Sequence, residues 1–309
     1  MKIFMPLFQF NCYENITNFD FNYPGLSLKP FTEKDIPRFQ SIPGLSKIDI
    51  GHINQEKWAL VYQVDNNNDD ETYKEFVNLL LIAFHIFYDN RAPFIKYRIN
   101  TEKSSSCLTT LMDIYNPEMK KNLRGINLCQ LKKINKGFTH LQKMYCTSAR
   151  TKNALYFLSK IYMFEQWSES FVMMMIVLEA LFSKDEPPYN NTKEIICQRA
   201  SSLLNSCKKC TKKDIEKLYD LRCDIVHGRI DFKNIKTKNL QESAHLEFVV
   251  NQCFRELIAN DRYKHFETPS TREEFMATLD NKSHGTAEDP SPFGVQDDRD
   301  VKKQKQQTN

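Results

Sequence analysis

Lys217-Leu-Tyr-Asp-Leu-Arg-Cys-Asp-Ile-Val-His-Gly228 is an apolar helix pattern interrupted by an arginine and a histidine. Ile215, Leu218, Leu221 and Ile225 recur at spacings of three and four, which is one face of an α-helix, and Gly228 stands where a helix C-terminus favours glycine. Arg222 falls four residues after Leu218 and three before Ile225, so it borders the apolar stripe rather than the solvent face. His227 follows Arg222 by five positions, roughly 140° around the helix, so one straight helix does not aim both side chains at one atom. A long arginine, a loosened final turn or a second subunit would close that gap. Asp224, three residues before His227, can share the imidazole's side, orient it and raise its pKa.

Two further helical segments precede this one, Val177-Leu-Glu-Ala-Leu-Phe182 and Glu194-Ile-Ile-Cys-Gln-Arg-Ala-Ser-Ser-Leu-Leu204, joined by a short turn-rich link. The segment from Phe171 to Phe182 is apolar all round and is expected to be a central buried helix, with its three methionines as core filler. Glu179 is its exception, a carboxylate that is costly to bury unless paired. Glu179 and Arg222 are both misfits among apolar neighbours, and an ion pair between their helices would satisfy both.

The order of these elements, a Leu-Glu-x-Leu helix, an Arg-Ala-x-x-Leu-Leu helix and then Leu-Arg-x4-His-Gly, resembles that of HEPN domains, whose signature is Rx4–6H. The likeness is greatest to the Apea-like HEPN family of bacterial anti-phage, abortive-infection proteins, and runs from about residue 150 to 265. It implies a metal-independent endoribonuclease with no cofactor, in which Arg222 and His227 are catalytic and Asp224 and Glu179 support them. His227 would serve as acid or base for the 2′-hydroxyl and the leaving oxygen. Arg222 would hold the charge that builds on the scissile phosphoryl group with its bidentate fork. The expected products carry a 2′,3′-cyclic phosphate, or its hydrolysis product, and a 5′-hydroxyl.

The resemblance also implies a homodimer whose two motifs share one composite cleft, which would answer the angular gap between Arg222 and His227. The implied substrate is tRNA or another structured cellular RNA, cut in response to a phage-derived trigger. One departure is visible: many HEPN nucleases carry a polar residue directly after the arginine, whereas this chain has Cys223 there and its acid one place later. A different class of reading is a non-catalytic HEPN-like module that binds RNA, a nucleotide or a partner protein. A Cys223/His227 thiol nucleophile lacks an orienting acid and an oxyanion loop, and Cys223 is better read as packing between helices.

The whole chain has 309 residues, 41% hydrophobic and 27% charged, enough for a proper core without stapling. The net charge of +4 is uneven, because the segment from Phe266 onward has nine acids against six Lys or Arg, leaving +7 on the rest. A basic body permits a nucleic-acid partner. Nine cysteines without regular spacing do not read as a secreted disulfide framework and fit a reducing cytoplasm. The Met1 to Phe10 segment contains Pro6 and no small-residue cleavage site, so it is not read as a signal peptide. Phe76–Tyr88 and Phe171–Phe182 are too short to span a bilayer, so no membrane partner is expected.

Along the chain, Lys2–Phe10, Phe19–Tyr23 and Trp58–Val64 read as strands of a small antiparallel sheet, with Tyr-Pro-Gly and Ile-Pro-Gly as turns. Thr72 to Asp89 reads as an amphipathic helix facing inward with Phe76, Leu79, Leu80, Ala83, Phe84 and Phe87, with His85 off that face. Ile95–Asn100 is expected to return to the sheet. Between Glu118 and Lys152 there are nine Lys or Arg and one acid, interleaved with Phe138, His140 and Tyr145. That strip is either an RNA-tracking surface with a stacking aromatic or, more commonly for a charge run, a solvated helix face over core aromatics.

Thr192 is expected to cap the next helix. Cys207-Lys-Lys-Cys210 follows in a basic turn; it lacks a second ligand pair for zinc and a βαβ context for redox work. Lys208, Lys209, Arg229 and Lys233 are the expected RNA-binding charges beside the motif. The fold class expected is α+β, a C-terminal all-α HEPN-like bundle over 146–266 preceded by a smaller mixed β/α domain over 1–145 that acts as sensor or specificity element. A polar tail is expected over 267–309, weakly ordered or disordered beyond about residue 280.

Overall fold

The computed structural model describes residues 2–8, 10–12, 16–32, 50–51, 53, 56–63, 72–88, 94–95, 97–100, 105–108, 125–161, 167–185, 191–230 and 237–281. Among the described residues, seven strands form one antiparallel sheet: β1 (Lys2–Phe8), β2 (Phe19–Asp20), β3 (Leu26–Pro30), β4 (Trp58–Gln63), β5 (Phe94–Ile95), β6 (Tyr97–Asn100) and β7 (Ser105–Leu108). Their order is β2-β3-β4-β1-β6-β7, with β5 also pairing with β1. The register sets Ile3 opposite Tyr62 and Met5 opposite Leu60, while Leu28 meets Leu60 from β3. Ile3, Met5 and Leu7 alternate along β1 and face the common core, as the two-residue period of a strand requires. Strands β3 and β7 were not anticipated from the sequence, and the Ile-Pro-Gly turn lies outside the described residues.

Among the described residues, the α-helices whose bounds are defined are α1 (Thr72–Phe87), α2 (Leu128–Thr147), α3 (Ala149–Ile161), α4 (Trp167–Phe182), α5 (Thr192–Leu203), α6 (Lys212–Val226), α7 (Thr237–Ala259) and α8 (Pro269–Asp280). Helix α1 is buried on more than the expected face: Val77, Ile82 and Ile86 are enclosed as fully as Leu80 and Phe84. The reason is its position, with sheet-side aromatics on one flank and α2, α3 and α7 on the other. The Phe84 ring stands edge-on to Phe10 at 5.6 Å and to Phe21 at 6.3 Å. Gly137 of α2 lies where any Cβ would come within 2.1 Å of the Phe87 ring, so the close approach of α1 and α2 depends on glycine there.

The expected domain boundary lies between residues 145 and 146. That position falls within α2, whose Leu131, Ile134, Phe138, Leu141 and Met144 belong to one hydrophobic cluster that runs from Ile3 to Leu279. Helix α2 is also tied to the β2–β3 turn, where Asn135 Oδ1 accepts from the Asn22 backbone N–H and Thr139 Oγ1 accepts from Asn22 Nδ2, both at 2.8 Å. At the far end of α1, Arg255 Nε of α7 donates to the Ile86 carbonyl at 2.5 Å, one of the last-turn carbonyls for which a helix supplies no intrahelical donor.

Within the expected polar tail from 267, α8 is a formed helix with Phe275, Met276 and Leu279 buried. Thr268 caps it, accepting from the Thr271 backbone N–H, and Pro269 occupies the first turn where its missing N–H costs nothing. Helix α8 packs on α5 and delivers Arg272 to the C-terminal end of α4. There three guanidiniums converge on carbonyls that the helix leaves unpaired. Arg150 donates to Ala180 and Lys184, Arg199 to Phe182, and Arg272 to Leu181 and Ser183. Asp185 serves Arg150 and Arg272 together, and Asp280 holds Arg199 through two hydrogen bonds of 2.8 Å. The positive charges sit at the negative end of the α4 dipole.

Candidate functional site

Helix α4 is the central helix of the bundle, packed against α3, α5, α6 and α7, with Phe171, Met174, Met175, Val177, Leu178, Leu181 and Phe182 buried. Helix α6 also lies against it and buries Ile215, Leu218, Tyr219 and Leu221, with Ile225 partly buried. It begins with a capping box, the Thr211 side chain accepting from the Asp214 backbone N–H while the Asp214 side chain accepts from that of Thr211. Lys193 of α5 reaches Asp220 at 2.5 Å, and Lys212 reaches Glu194 at 3.4 Å, joining α5 to α6 along their outer edge.

The ion pair anticipated from the two misfit charges is present: Arg222 Nη2 stands 3.6 Å from Glu179 Oε1, with the side chains 23% and 25% exposed. Tyr219, which sequence reasoning passed over, completes the cluster. Its hydroxyl donates to Glu179 Oε1 at 3.1 Å, and its ring lies 5.8 Å from the Arg222 guanidinium. Burial, together with the Glu179 charge and hydrogen bond, pushes the Tyr219 pKa up to about 12, so the phenol stays a donor. Its signal in the sequence was position, on the inward face and three residues before Arg222. Among the described residues, Arg222 Nε is buried without a hydrogen-bond partner.

His227 is the C-cap of α6 and is exposed. Its backbone N–H still donates to the Cys223 carbonyl at 2.9 Å, so the final turn is not loosened. Gly228 follows in the left-handed region at φ +69°, its N–H bonded to Ile225 O at 3.1 Å, and the Arg229 N–H returns to Asp224 O at 2.8 Å. These two reversed bonds are a Schellman motif, which accounts for the glycine. The same turn brings Arg229 back over Asp224, and their side chains pair at 3.0 Å. The expected contact of Asp224 with His227 is therefore corrected: the carboxylate turns to Arg229, and among the described residues no hydrogen bond or ion pair joins it to the imidazole.

The structure thus brings Arg222 together with Glu179 and Tyr219, and Asp224 with Arg229, while His227 is exposed and, among the described residues, no hydrogen bond or ion pair joins its side chain to either group. Lys208 and Lys209 are exposed in the turn before α6, whereas Lys233 lies outside the described residues. Arg229 is 68% exposed although it is paired. On α2, Lys132, Lys136 and Lys143 are exposed at helical spacing, while Phe138 is fully buried and His140 is half-buried beside Asp261 and Tyr263. Phe138 and His140 are therefore packing residues, not stacking platforms, and Tyr145 is covered by Lys152 at 4.8 Å. Thr192 does not cap α5; the N-cap is Asn191 at φ 60°, without a side-chain cap.

Compared with family models, curated proteins and solved structures, the chain matches none. Among the described residues, no helix is long and apolar enough to cross a membrane.

Proposed function

We propose that this chain is a metal-independent endoribonuclease of the HEPN type, acting on tRNA or other cellular RNA in anti-phage defence within the cytoplasm. The observation that carries this reading is the Arg222–Glu179–Tyr219 cluster, which fixes a guanidinium at the edge of the bundle while His227 stands free at a rigidly capped helix end. Glu179 and Tyr219 hold the Arg222 side chain, so its partly exposed fork meets a phosphate without first losing conformational freedom. His227 supplies the proton transfers at the 2′-hydroxyl and the leaving oxygen. Because α6 keeps its regular final turn, Arg222 and His227 of one chain diverge by roughly 140°, and the site is built from two chains, Arg222 of one beside His227 of the other. Val226, an apolar side chain 50% exposed next to His227, fits a surface that a second copy covers. Lys208, Lys209 and Arg229 add positive charge along the approach of an RNA backbone.

A second reading is supported by the same cluster. Arg222 already has a carboxylate partner and Asp224 is held by Arg229, which suits a non-catalytic module in which the motif locks the bundle. Incubation of the purified chain with total tRNA in EDTA separates the two. The nuclease yields fragments, His227→Ala lowers the rate by about 10²–10⁴-fold with thermal stability nearly unchanged, and Arg222→Lys keeps the fold but loses most activity. Wild-type protein that binds tRNA and leaves it intact establishes the module instead.

A further inference from the structure

Cys207 and Cys210 occupy the turn between α5 and α6, immediately before the cap residue Thr211. The Cys207 N–H donates to the Leu204 carbonyl at 2.8 Å and the Cys210 N–H to the Cys207 carbonyl at 3.0 Å, folding the four residues on themselves. The two sulfurs consequently lie 3.0 Å apart, with the Cys210 thiol donating to Cys207 Sγ. The pair is asymmetric: Cys210 is buried, whereas Cys207 is half-buried and followed by exposed Lys208 and Lys209. From α7, His245 Nε2 contacts the Lys209 carbonyl at 2.6 Å, pinning the turn from its other side.

A Cys-x-x-Cys pair serves either a metal or thiol exchange. Among the described residues, no third His, Cys, Asp or Glu joins these two to make a metal-holding group. Exchange needs what the turn provides, one reachable sulfur to attack and a second, sheltered sulfur within reach to resolve the adduct. We propose that Cys207 and Cys210 form a thiol–disulfide exchange site, with Cys207 as the attacking sulfur, Cys210 as the resolving sulfur and a low-molecular-weight disulfide as the co-substrate.

The electrostatics agree with these roles. The hydrogen bond from Cys210 holds the Cys207 pKa below that of a free thiol against the opposing effect of burial, helped by the Lys209 backbone N–H, His245 and the Lys209 ammonium. The same hydrogen bond and burial push Cys210 up, with Cys253 and Asp214 adding to the rise, and burial also raises Cys253 on α7. The Cys207 thiolate attacks one sulfur of the disulfide RSSR, forming a Cys207–SR bond and releasing RS⁻, which takes a proton from water. Cys210, on giving up its proton to solvent, attacks Cys207 Sγ, closes the Cys207–Cys210 bond and expels the second RS⁻. The chain is oxidised by two electrons, and RSSR is reduced to two RSH.

The test uses the full chain and glutathione redox buffers at neutral pH, followed by acid quench, alkylation of remaining thiols and mass spectrometry. Digestion is with chymotrypsin, because trypsin cuts between the cysteines at Lys208 and Lys209. As oxidised glutathione rises, the peptide holding both cysteines is expected to lose two hydrogens and its alkylation together. Cys210→Ser should stop at a Cys207–glutathione adduct, and Cys207→Ser should form neither adduct nor disulfide. Both cysteines alkylated at every ratio would overturn the proposal. So would glutathione accumulating on exposed Cys129 or Cys146 as readily as on Cys207, or stoichiometric zinc in the purified wild-type chain that is lost in Cys207→Ser. The wild-type measurement decides the matter even where a variant fails to fold.

Discussion

Replacing Glu179 by Gln and Arg222 by Met, singly and together, isolates the charge pair that anchors α6 to α4. Gln keeps an acceptor for the Tyr219 hydroxyl and Met keeps the arginine stem, so the cycle removes charge and little packing. At 3.6 Å and an effective dielectric near 20, two unit charges attract by about 5 kcal/mol. Desolvation and side-chain ordering oppose that attraction. Exposed pairs retain about 0.2–1 kcal/mol, whereas breaking a fully buried pair costs about 3–5 kcal/mol. With each side chain about a quarter exposed, the coupling expected is about 1–2 kcal/mol. Urea unfolding of the four proteins, read by far-ultraviolet circular dichroism with a common m-value, measures it. Effects that add to within about 0.5 kcal/mol would show that the ion pair contributes nothing to the docking of α6, and the positioning of Arg222 by Glu179 would fall with it.

Three further outcomes follow from the same structure. Gly228→Ala should destabilise by about 1 kcal/mol through its left-handed backbone alone, since nothing lies within 4 Å of the new Cβ; Gly228→Asn should cost less, and equal stability of Ala would contradict the capping geometry. Arg272→Met, at a residue 4% exposed that donates to Leu181 and Ser183, should cost about 2–3 kcal/mol in chemical denaturation, and an unchanged midpoint would remove the clamp from the account. Burial lowers the His85 pKa to about 3, so the unfolded chain takes up a proton below its ordinary value near 6.5 while the folded chain does not. That contribution to stability is present above pH 6.5 and is lost as pH falls toward 3. Because His85 lies at the edge of the core, about 2 kcal/mol is the ceiling of its share of the loss at pH 5, and His85→Gln should flatten the slope between pH 7 and 5.

The helical bundle was legible because its residues obey the helix period strongly: Ile215, Leu218 and Leu221 mark the buried face of α6, and the all-round apolarity of α4 marks a centre. Helix α8 was hidden by its polar composition, although Thr268-Pro269 followed by Thr271 is a readable start signal. Its buried Arg272 is not readable, since a guanidinium becomes a core residue only where three-dimensional neighbours present bare carbonyls. Strand β7 owes its existence to pairing with β6, information that sits elsewhere in the chain.

At the site, Glu179 and Arg222 revealed each other because each was out of place in its own helix. The pairing of Asp224 was misread for a local reason. Spacing along a helix puts Asp224 near His227, but the Schellman turn ends the helix there and folds Arg229 back onto the same carboxylate. The proximity of the Cys207 and Cys210 sulfurs likewise depends on a turn whose geometry the four letters do not specify.

Mixing two folded, singly inactive variants, Arg222→Ala and His227→Ala, tests whether one site is built from two chains. In a dimer with composite sites, the mixed species pairs the intact arginine of one chain with the intact histidine of the other. Random exchange of subunits should return cleavage of tRNA in EDTA to about a quarter of the wild-type rate. A mixture that exchanges subunits yet leaves the RNA intact, beside a wild-type control that cuts it, would contradict a site shared between two chains.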